Sequence, residues 1–500
     1  MQRKKIAIIG AGPGGLAAAM LLSARGYHVQ LFEKQDYIGG RTSSFSKFGY
    51  TFDLGPTFFS MPYILEEIFL EAGRRLDDYV SLKKIDPMYT LMFDDFSMKA
   101  SSDRQKMKQI VETHFPGYGI QYERFMLDTR KKMNVLLPIL QKNHDSLFDY
   151  VRLQSIKAWP KLELSKTLYD VLSKYFDDDR LKLSFTFQSK YLGMSPWECP
   201  GLFSILAFME HEYGIFHPVG GLNKLTEAMG IVAREHGAGI HTGTGVAKII
   251  IGNNRTVKGL QLDNGDKIAV DHVIMNADFA QAMSQLVEDD LRRKYKTIKL
   301  EKKRYSCSTF MIYAGVDTSV PLDHHTILFS KDYKRNVEEI SHLKTVSQDP
   351  SIYIQNASIT DSTLAPTGKS ALYILAPVPN NFSPIEWEKE KGAFYDLILS
   401  KVEEKTGLHN LRHKLETETV LTPADWENKK YVYKGATFNL AHNLRQMMYF
   451  RPHNKLTEFR GLWLVGGGTH PGSGLPTIFE SARITANLLS REMDWGEGMV

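Results

Sequence analysis

Ile6-Ala7-Ile8-Ile9-Gly10-Ala11-Gly12-Pro13-Gly14-Gly15, followed by Val29-Gln30-Leu31-Phe32-Glu33, is the stretch that decides the fold of this chain. Ile6 to Ile9 is an apolar run long enough for one buried parallel strand. Gly10 allows a tight turn, Gly12 lets backbone approach a pyrophosphate, and Gly15 lets the next helix pack close to the strand. Gly14 completes the glycine run, and Ala17 to Ala24 suits a helix whose N-terminal N–H groups would face phosphate. Val29 to Phe32 reads as a second strand with Glu33 at its carboxyl end, where a carboxylate accepts from ribose hydroxyls and repels a 2′-phosphate. Strand, helix, second strand and acid together predict a dinucleotide site of the Rossmann type.

Arg3-Lys4-Lys5 ahead of an uncharged stretch to Ala24 also has the outline of a signal peptide or a membrane span. Four glycines and a proline are poor material for a spanning helix, and a comparably long uncharged apolar stretch occurs nowhere else. The expectation is therefore a protein that does not span a membrane. The 500 residues are 43% hydrophobic and 24% charged, enough for a large buried core and for two to four domains. The two cysteines, Cys199 and Cys307, are far apart, which excludes a cysteine metal cluster or a disulfide scaffold and fits a reducing cytoplasm. A net charge of +5 is mild; no nucleic-acid partner and no metal are expected, and oligomeric state is left open.

Outward from the first motif, Gly39-Gly40-Arg41 would return a guanidinium toward the pyrophosphate, and Gly55-Pro56-Thr57 is a turn able to approach a flat ring. A nicotinamide enzyme has no need of this second loop, whereas FAD does. At the far end Gly461 to Gly466 reads as a strand feeding Gly467-Gly468-Thr469-His470-Pro471-Gly472-Ser473-Gly474-Leu475-Pro476. Thr477 to Leu489 is then helical, with Ile478, Ala482 and Thr485 on one face. Such a turn can aim N–H groups at the pyrimidine edge of a flavin, where negative charge develops on reduction.

These motifs resemble the flavin-dependent amine oxidase and carotenoid desaturase superfamily. Thr469 to Pro476, Phe52 to Thr57 and Glu210-His211-Glu212-Tyr213-Gly214 with Pro218 to Leu222 are similar to the bacterial-type carotenoid desaturases. Ser306 to Phe310 and Asp349 to Tyr353 look most like the branch that acts on C30 diapocarotenoids such as dehydrosqualene (4,4'-diapophytoene). The resemblance implies an FAD site made of Gly10, Gly12, Gly14, Gly15, Glu33, Gly40, Arg41, Gly55, Pro56, Thr57, Val246, Gly467, Gly468, Gly474, Leu475 and Pro476. It implies desaturation of a linear C30 or C40 precursor, phytoene or diapophytoene, by hydride transfer to flavin with loss of a proton.

The expected fold is α/β: a Rossmann-type, glutathione-reductase-like FAD domain from 1–75, 215–300 and 430–500, interleaved with a mixed α+β substrate domain at 301–429. The patterning of 100–205 is mostly helical, so 76–214 is expected as a helical region, and the insoluble substrate that the resemblance implies makes it the membrane-facing one. Val257 to Leu262, Asn264-Gly265 and Lys267 to Val270 predict a hairpin, and Val273 to Ala277 a strand returning to the flavin sheet.

Between Phe185 and Phe216 aromatic and aliphatic residues crowd together, among them Phe187, Tyr191, Leu192, Trp197, Phe203, Ile205, Leu206, Phe208, Tyr213 and Phe216. They read as core packing or, together, as the wall of a dry tunnel for a polyene. Glu210, on a predicted apolar helix, is the candidate catalytic group, with a structural carboxylate paired to Arg or Lys as the alternative. His211 reads as a bystander on the other helix face, His470 as shaping the cofactor side, and Asp53 as holding its loop. Arg292-Arg293-Lys294, Lys296, Lys299 and Lys302-Lys303-Arg304 form the densest basic run, read either as solvated surface or as a contact to lipid headgroups at a cytoplasmic, peripheral membrane site. Three rivals remain. An amine oxidase often links flavin to a cysteine near the C-terminal turn, and none stands there. A terminal-methyl oxidase differs only in product, and a prenyl-lipid chaperone tends to lose flavin.

Overall fold

The computed structural model describes residues 4–142 and 159–495. Strands Lys5–Ile9, His28–Phe32, Gly239–His241, His272–Met275 and Leu462–Leu464 form one sheet. Their spatial order is Gly239–His241, His28–Phe32, Lys5–Ile9, His272–Met275, Leu462–Leu464, and every neighbouring pair is parallel. Helices cover the sheet, so its central strands read as unbroken apolar runs rather than alternating ones. Helix Pro13–Ala24 is buried from Gly14 to Ser23 and packs between Asn223–Glu235 and Leu475–Trp495. Ala17, Ala18 and Ala19 are fully buried there, because only small side chains let three helices and a sheet approach so closely.

A second sheet has seven strands in the order Leu415–Leu421, Ser308–Val316, Ser370–Val378, Ile352–Asn356, His325–Leu328, Tyr89–Met92, Ser97–Ala100. All pairs are antiparallel except His325–Leu328 with Tyr89–Met92. The predicted hairpin is present, Val257–Leu262 pairing antiparallel with Lys267–Ala269. Segment 76–214 differs from its helical expectation at its start, where Leu82–Lys84, Tyr89–Met92 and Ser97–Ala100 are strands. Tyr89–Met92 is stabilised by a partner more than two hundred residues away, which no local periodicity reports. Beyond residue 103 the segment is helical as read, with Arg104–His114, Gly119–Leu140 and Ile205–Tyr213 the longest helices described; its part at 143–158 lies outside the described residues. No helix among the described residues is long and apolar enough to cross a membrane. The carboxyl ends of the parallel strands face the seven-stranded sheet across a cavity of about 630 Å³, whose other wall is helical.

Candidate active site

The chain leaves strand Lys5–Ile9 through Gly10, whose φ of +97° is one that residues with a side chain seldom adopt. Helix Pro13–Ala24 starts directly after, with Pro13 in its first turn and no side chain capping its N-terminus. Gly10, Gly12, Pro13 and Gly14 line the cavity. Gly15 does not; a Cβ there would fall 2.2 Å from the Gly10 carbonyl oxygen, so this glycine sets the close strand–helix packing. Glu33 stands on the cavity wall, where its Oε2 accepts the Ala11 N–H at 2.7 Å and its Oε1 accepts the Gln35 N–H at 2.9 Å. Burial raises its pKa, against the backbone donors that lower it. Each oxygen keeps a lone pair for a hydroxyl. Gly40 approaches this turn closely, its Cβ position lying 3.2 Å from Gly12 Cα.

Arg41 is less free than a fork for two phosphate oxygens. Its Nη1 donates to the Thr437 carbonyl at 3.0 Å and lies 3.8 Å from Asp278. Gly55, Pro56 and Thr57 line the cavity on a turn pinned by tyrosines of the large sheet. Tyr313 donates to the Leu54 carbonyl at 2.6 Å, Tyr373 to that of Gly55 at 2.7 Å, and the Tyr353 and Thr57 hydroxyls pair at 2.6 Å. Asp53 holds its loop as expected, accepting the Leu222 N–H at 2.7 Å and the Ser44 hydroxyl at 2.9 Å. Val246, Gly467, Gly474, Leu475 and Pro476 line the cavity from the other side. Gly468 does not; its Cβ position lies 2.6 Å from Phe279, so that glycine serves packing behind the turn. His470 lines the cavity, with Nε2 3.0 Å from the Lys142 carbonyl.

The same cavity continues between Phe187, Tyr191, Leu192, Leu202, Phe203, Ile205, Leu206 and Met209 on one side and Leu136, Leu137 and Leu140 on another. Trp197, Phe208, Tyr213 and Phe216 do not line it and belong to packing. Glu210 reaches it with 4% of its surface exposed. Its Oε2 accepts Gln188 Nε2 at 3.0 Å and lies 3.3 Å from the Tyr89 hydroxyl. Among the described residues no Arg or Lys pairs with it, so the structural ion pair is not what is seen. Burial pushes its pKa up to about 7, with hydrogen bonds from Gln188, Tyr191 and Tyr89 working the other way.

His211 does not line the cavity, as expected of a residue on the other helix face, but it shares the Tyr89 hydroxyl with Glu210. It is buried, and with Nδ1 3.2 Å from the Ser101 carbonyl it must donate there, leaving Nε2 to accept from Tyr89 at 3.2 Å. Burial lowers its pKa to about 4, so it is neutral. Tyr89 has one hydrogen to give, and His211 competes with Glu210 for it.

Two glycine turns from opposite ends of the chain thus form a clasp that opens into an apolar channel. The model of the flavin containing amine oxidoreductases matches residues 13–490. The chain belongs to that family. This flavoprotein is 47% identical to a 4,4'-diapophytoene desaturase (4,4'-diapolycopene-forming) of Methylomonas sp, over 98% of this chain and 96% of the relative. It is 36% identical to a zeta-carotene-forming phytoene desaturase of Myxococcus xanthus, covering 99% and 95% respectively. An oxidoreductase from Methanosarcina mazei shares its fold with a TM-score of 0.64 at 20% identity, covering 97% of this chain and all of that one.

The flavoprotein's cofactor is FAD, and the residues present fit it. Side chains are absent where a pyrophosphate must approach backbone, and the half-buried Glu33 keeps acceptor capacity. The N-termini of Pro13–Ala24 and Leu475–Trp495 both reach the cavity.

Three residues of this clasp were not legible as such. Asn276, just past the strand His272–Met275, donates Nδ2 to the Gly10 carbonyl at 2.9 Å. Its amide is also the atom group that a Cβ at Gly12, Gly14 or Gly15 would strike. A polar amide directly after a buried apolar strand was the available signal. Arg451, wholly buried, donates Nε to the Thr469 carbonyl at 3.2 Å and Nη2 to that of Gly467, bracing the C-terminal turn. Ser473 ties the same turn through its hydroxyl to the carbonyls of Phe438 at 2.9 Å and Gly467 at 3.1 Å. Asn276→Ala is expected to weaken FAD binding by about tenfold, the worth of one buried hydrogen bond whose acceptor is left unpaired. Titration of apoprotein with FAD by fluorescence quenching measures it; unchanged affinity would remove Asn276 from the clasp.

Proposed function

We propose that this flavoprotein is a desaturase that introduces double bonds into a linear C30 or C40 carotenoid precursor, diapophytoene or phytoene. The single observation that carries this reading is the continuity of one cavity from the glycine clasp into a channel walled by aliphatic and aromatic side chains. The desaturase relatives support it over the whole chain length. In this reading Gly10, Gly12, Gly14, Glu33, Gly40, Arg41, Gly55, Pro56, Thr57, Val246, Gly467, Gly474, Leu475 and Pro476 contact FAD, with Gly15 and Gly468 shaping the turns behind them. The segments 1–75, 215–300 and 430–500 make the cofactor domain, 301–429 the substrate sheet, and 76–214 the face through which substrate enters.

Forming each double bond removes a hydride and a proton from adjacent carbons, and bound FAD supplies the two-electron acceptor. The chain's own share is to hold an extended polyene straight, exclude water and offset developing positive charge. Glu210 is the group placed for the last task. A carboxyl with a pKa of about 7 is part ionised at neutral pH, and in a dry channel its charge acts at short range or takes the proton.

A substrate this insoluble implies docking on the cytoplasmic surface of a bilayer, as a peripheral protein. The basic run contributes less to that surface than its composition suggests. Arg292 is buried, 2.7 Å from Asp289, and donates to the Tyr295 carbonyl, whereas Arg293, Lys294, Lys299, Lys302 and Arg304 are exposed.

Co-expression with a C30 synthase, and separately with a C40 synthase, tests the proposal by pigment spectrum and mass. Products lighter by pairs of hydrogens in one strain establish desaturation and chain length together. Unchanged colourless precursor in both strains, with FAD-loaded protein present, would sink it. Products gaining oxygen from a preformed polyene would point to terminal oxidation instead.

A further inference from the structure

The channel is not uniformly apolar. The short helix Phe187–Leu192 sends Gln188 to Glu210 and, two residues on, places Lys190 on the cavity wall. The Lys190 Nζ hydrogen-bonds the Ser351 hydroxyl, which itself donates to Asn336 Oδ1 at 2.8 Å, and it sits 4.5 Å from the centre of the Tyr333 ring. Among the described residues no carboxylate lies within ion-pair distance of Lys190. The neighbouring groups also have donors left over: the Tyr333 hydroxyl and the Asn336 Nδ2 are buried with no partner. Lys190, Tyr333 and Ser351 all line the cavity. Buried donors without acceptors cost stability, and a pure hydrocarbon would satisfy none of them.

Building on the desaturase reading, we propose that Lys190, Ser351 and Tyr333 form a polar subsite that receives the oxygen-bearing end of a linear polyene, a carboxylate above all. Lys190 supplies N–H donors in either protonation state; burial lowers its pKa to about 7, and a bound carboxylate would restore the ammonium. The acceptor that Lys190 and the Tyr333 hydroxyl lack is then brought by the ligand, while Ser351, whose own hydrogen goes to Asn336, holds the Lys190 Nζ in place. A polyene whose terminus has already been oxidised would lie in the channel with its oxygens at Lys190. The reaction class that supplies such a ligand is oxidation of a terminal carbon.

The test uses the FAD-loaded protein and two fluorescent probes of one length, the linear tetraene trans-parinaric acid and the matching octadecatetraene hydrocarbon. The readout is the ratio of their affinities. In Lys190→Met the preference for the acid is expected to fall about tenfold, the worth of a hydrogen bond to a charged group. In Ser351→Ala, a smaller change that serves if the first variant folds poorly, it falls about threefold. A ratio that stays at the wild-type value in both variants overturns the subsite. So does a wild type that binds the hydrocarbon as tightly as the acid. Turnover of a C30 hydrocarbon by the wild type is followed alongside. A ratio that falls without any desaturation keeps the subsite and removes the desaturase reading, while desaturation with an unchanged ratio overturns the subsite alone.

Discussion

Gly15→Ala is expected to yield protein almost devoid of FAD. The added Cβ would lie 2.2 Å from the Gly10 carbonyl oxygen and 2.8 Å from Asn276 Nδ2, which donates to that same oxygen. Neither side can give. The Gly10 N–H is held to the Phe32 carbonyl at 2.8 Å and the Asn276 N–H to that of Ile9 at 2.9 Å. The helix cannot retreat either, since Asn223–Glu235 and Leu475–Trp495 pack behind it. Relief requires the turn to open, at a cost of about 4 kcal/mol or more, the range reserved for strain in a packed core. Flavin absorbance relative to protein absorbance after purification reads the effect, with thermal unfolding to report stability. A variant that keeps stoichiometric FAD would show that the turn is softer than its contacts imply.

Glu210→Gln is expected to lower kcat by about a hundredfold and to stabilise the fold at the same time. The wild-type rate should rise with pH through about 7 and then level, following ionisation of the buried carboxyl; the variant should show no such limb. The stability effect has the opposite direction. A carboxyl whose pKa is raised by folding from 4.5 to about 7 takes up a proton on folding between those values, so wild-type stability falls as pH rises across that window. Above it the wild type carries an ionised, desolvated group, and replacing this by neutral Gln removes a penalty of about 3 kcal/mol. Thermal unfolding at pH 5 and pH 8 measures it: the two proteins should differ little at the first and the variant should melt higher at the second. A variant less stable at both, with the pH limb of the rate intact, would return Glu210 to a structural role.

Those two residues mark how far local reading reaches. Gly15 is legible because its duty concerns Gly10, five residues away, and the strand–turn–helix arithmetic is local. Glu33 is legible for the same reason, standing where the second strand must end. Glu210 was legible only as a carboxylate on an apolar helix. Its partners Tyr89 and Gln188 lie on other elements, and the absence of a basic partner among the described residues is a fact of packing. The strands Tyr89–Met92 and Ser97–Ala100 escaped because the first pairs with His325–Leu328, and such pairing leaves no periodic trace in a four-residue run.

By itself, then, the sequence determined the dinucleotide fold, the two ends of the clasp and the apolar character of the channel. Each depends on backbone freedom or hydrophobicity within a few neighbouring residues. Tertiary structure alone decided that Asn276 locks the first turn, that tyrosines 313, 353 and 373 pin the second, and that Arg451 braces the third. It also decided that Lys190 stands in the channel with no carboxylate beside it among the described residues. These are contacts between segments that the chain separates widely. A buried polar group takes its role from whichever partner packing brings to it.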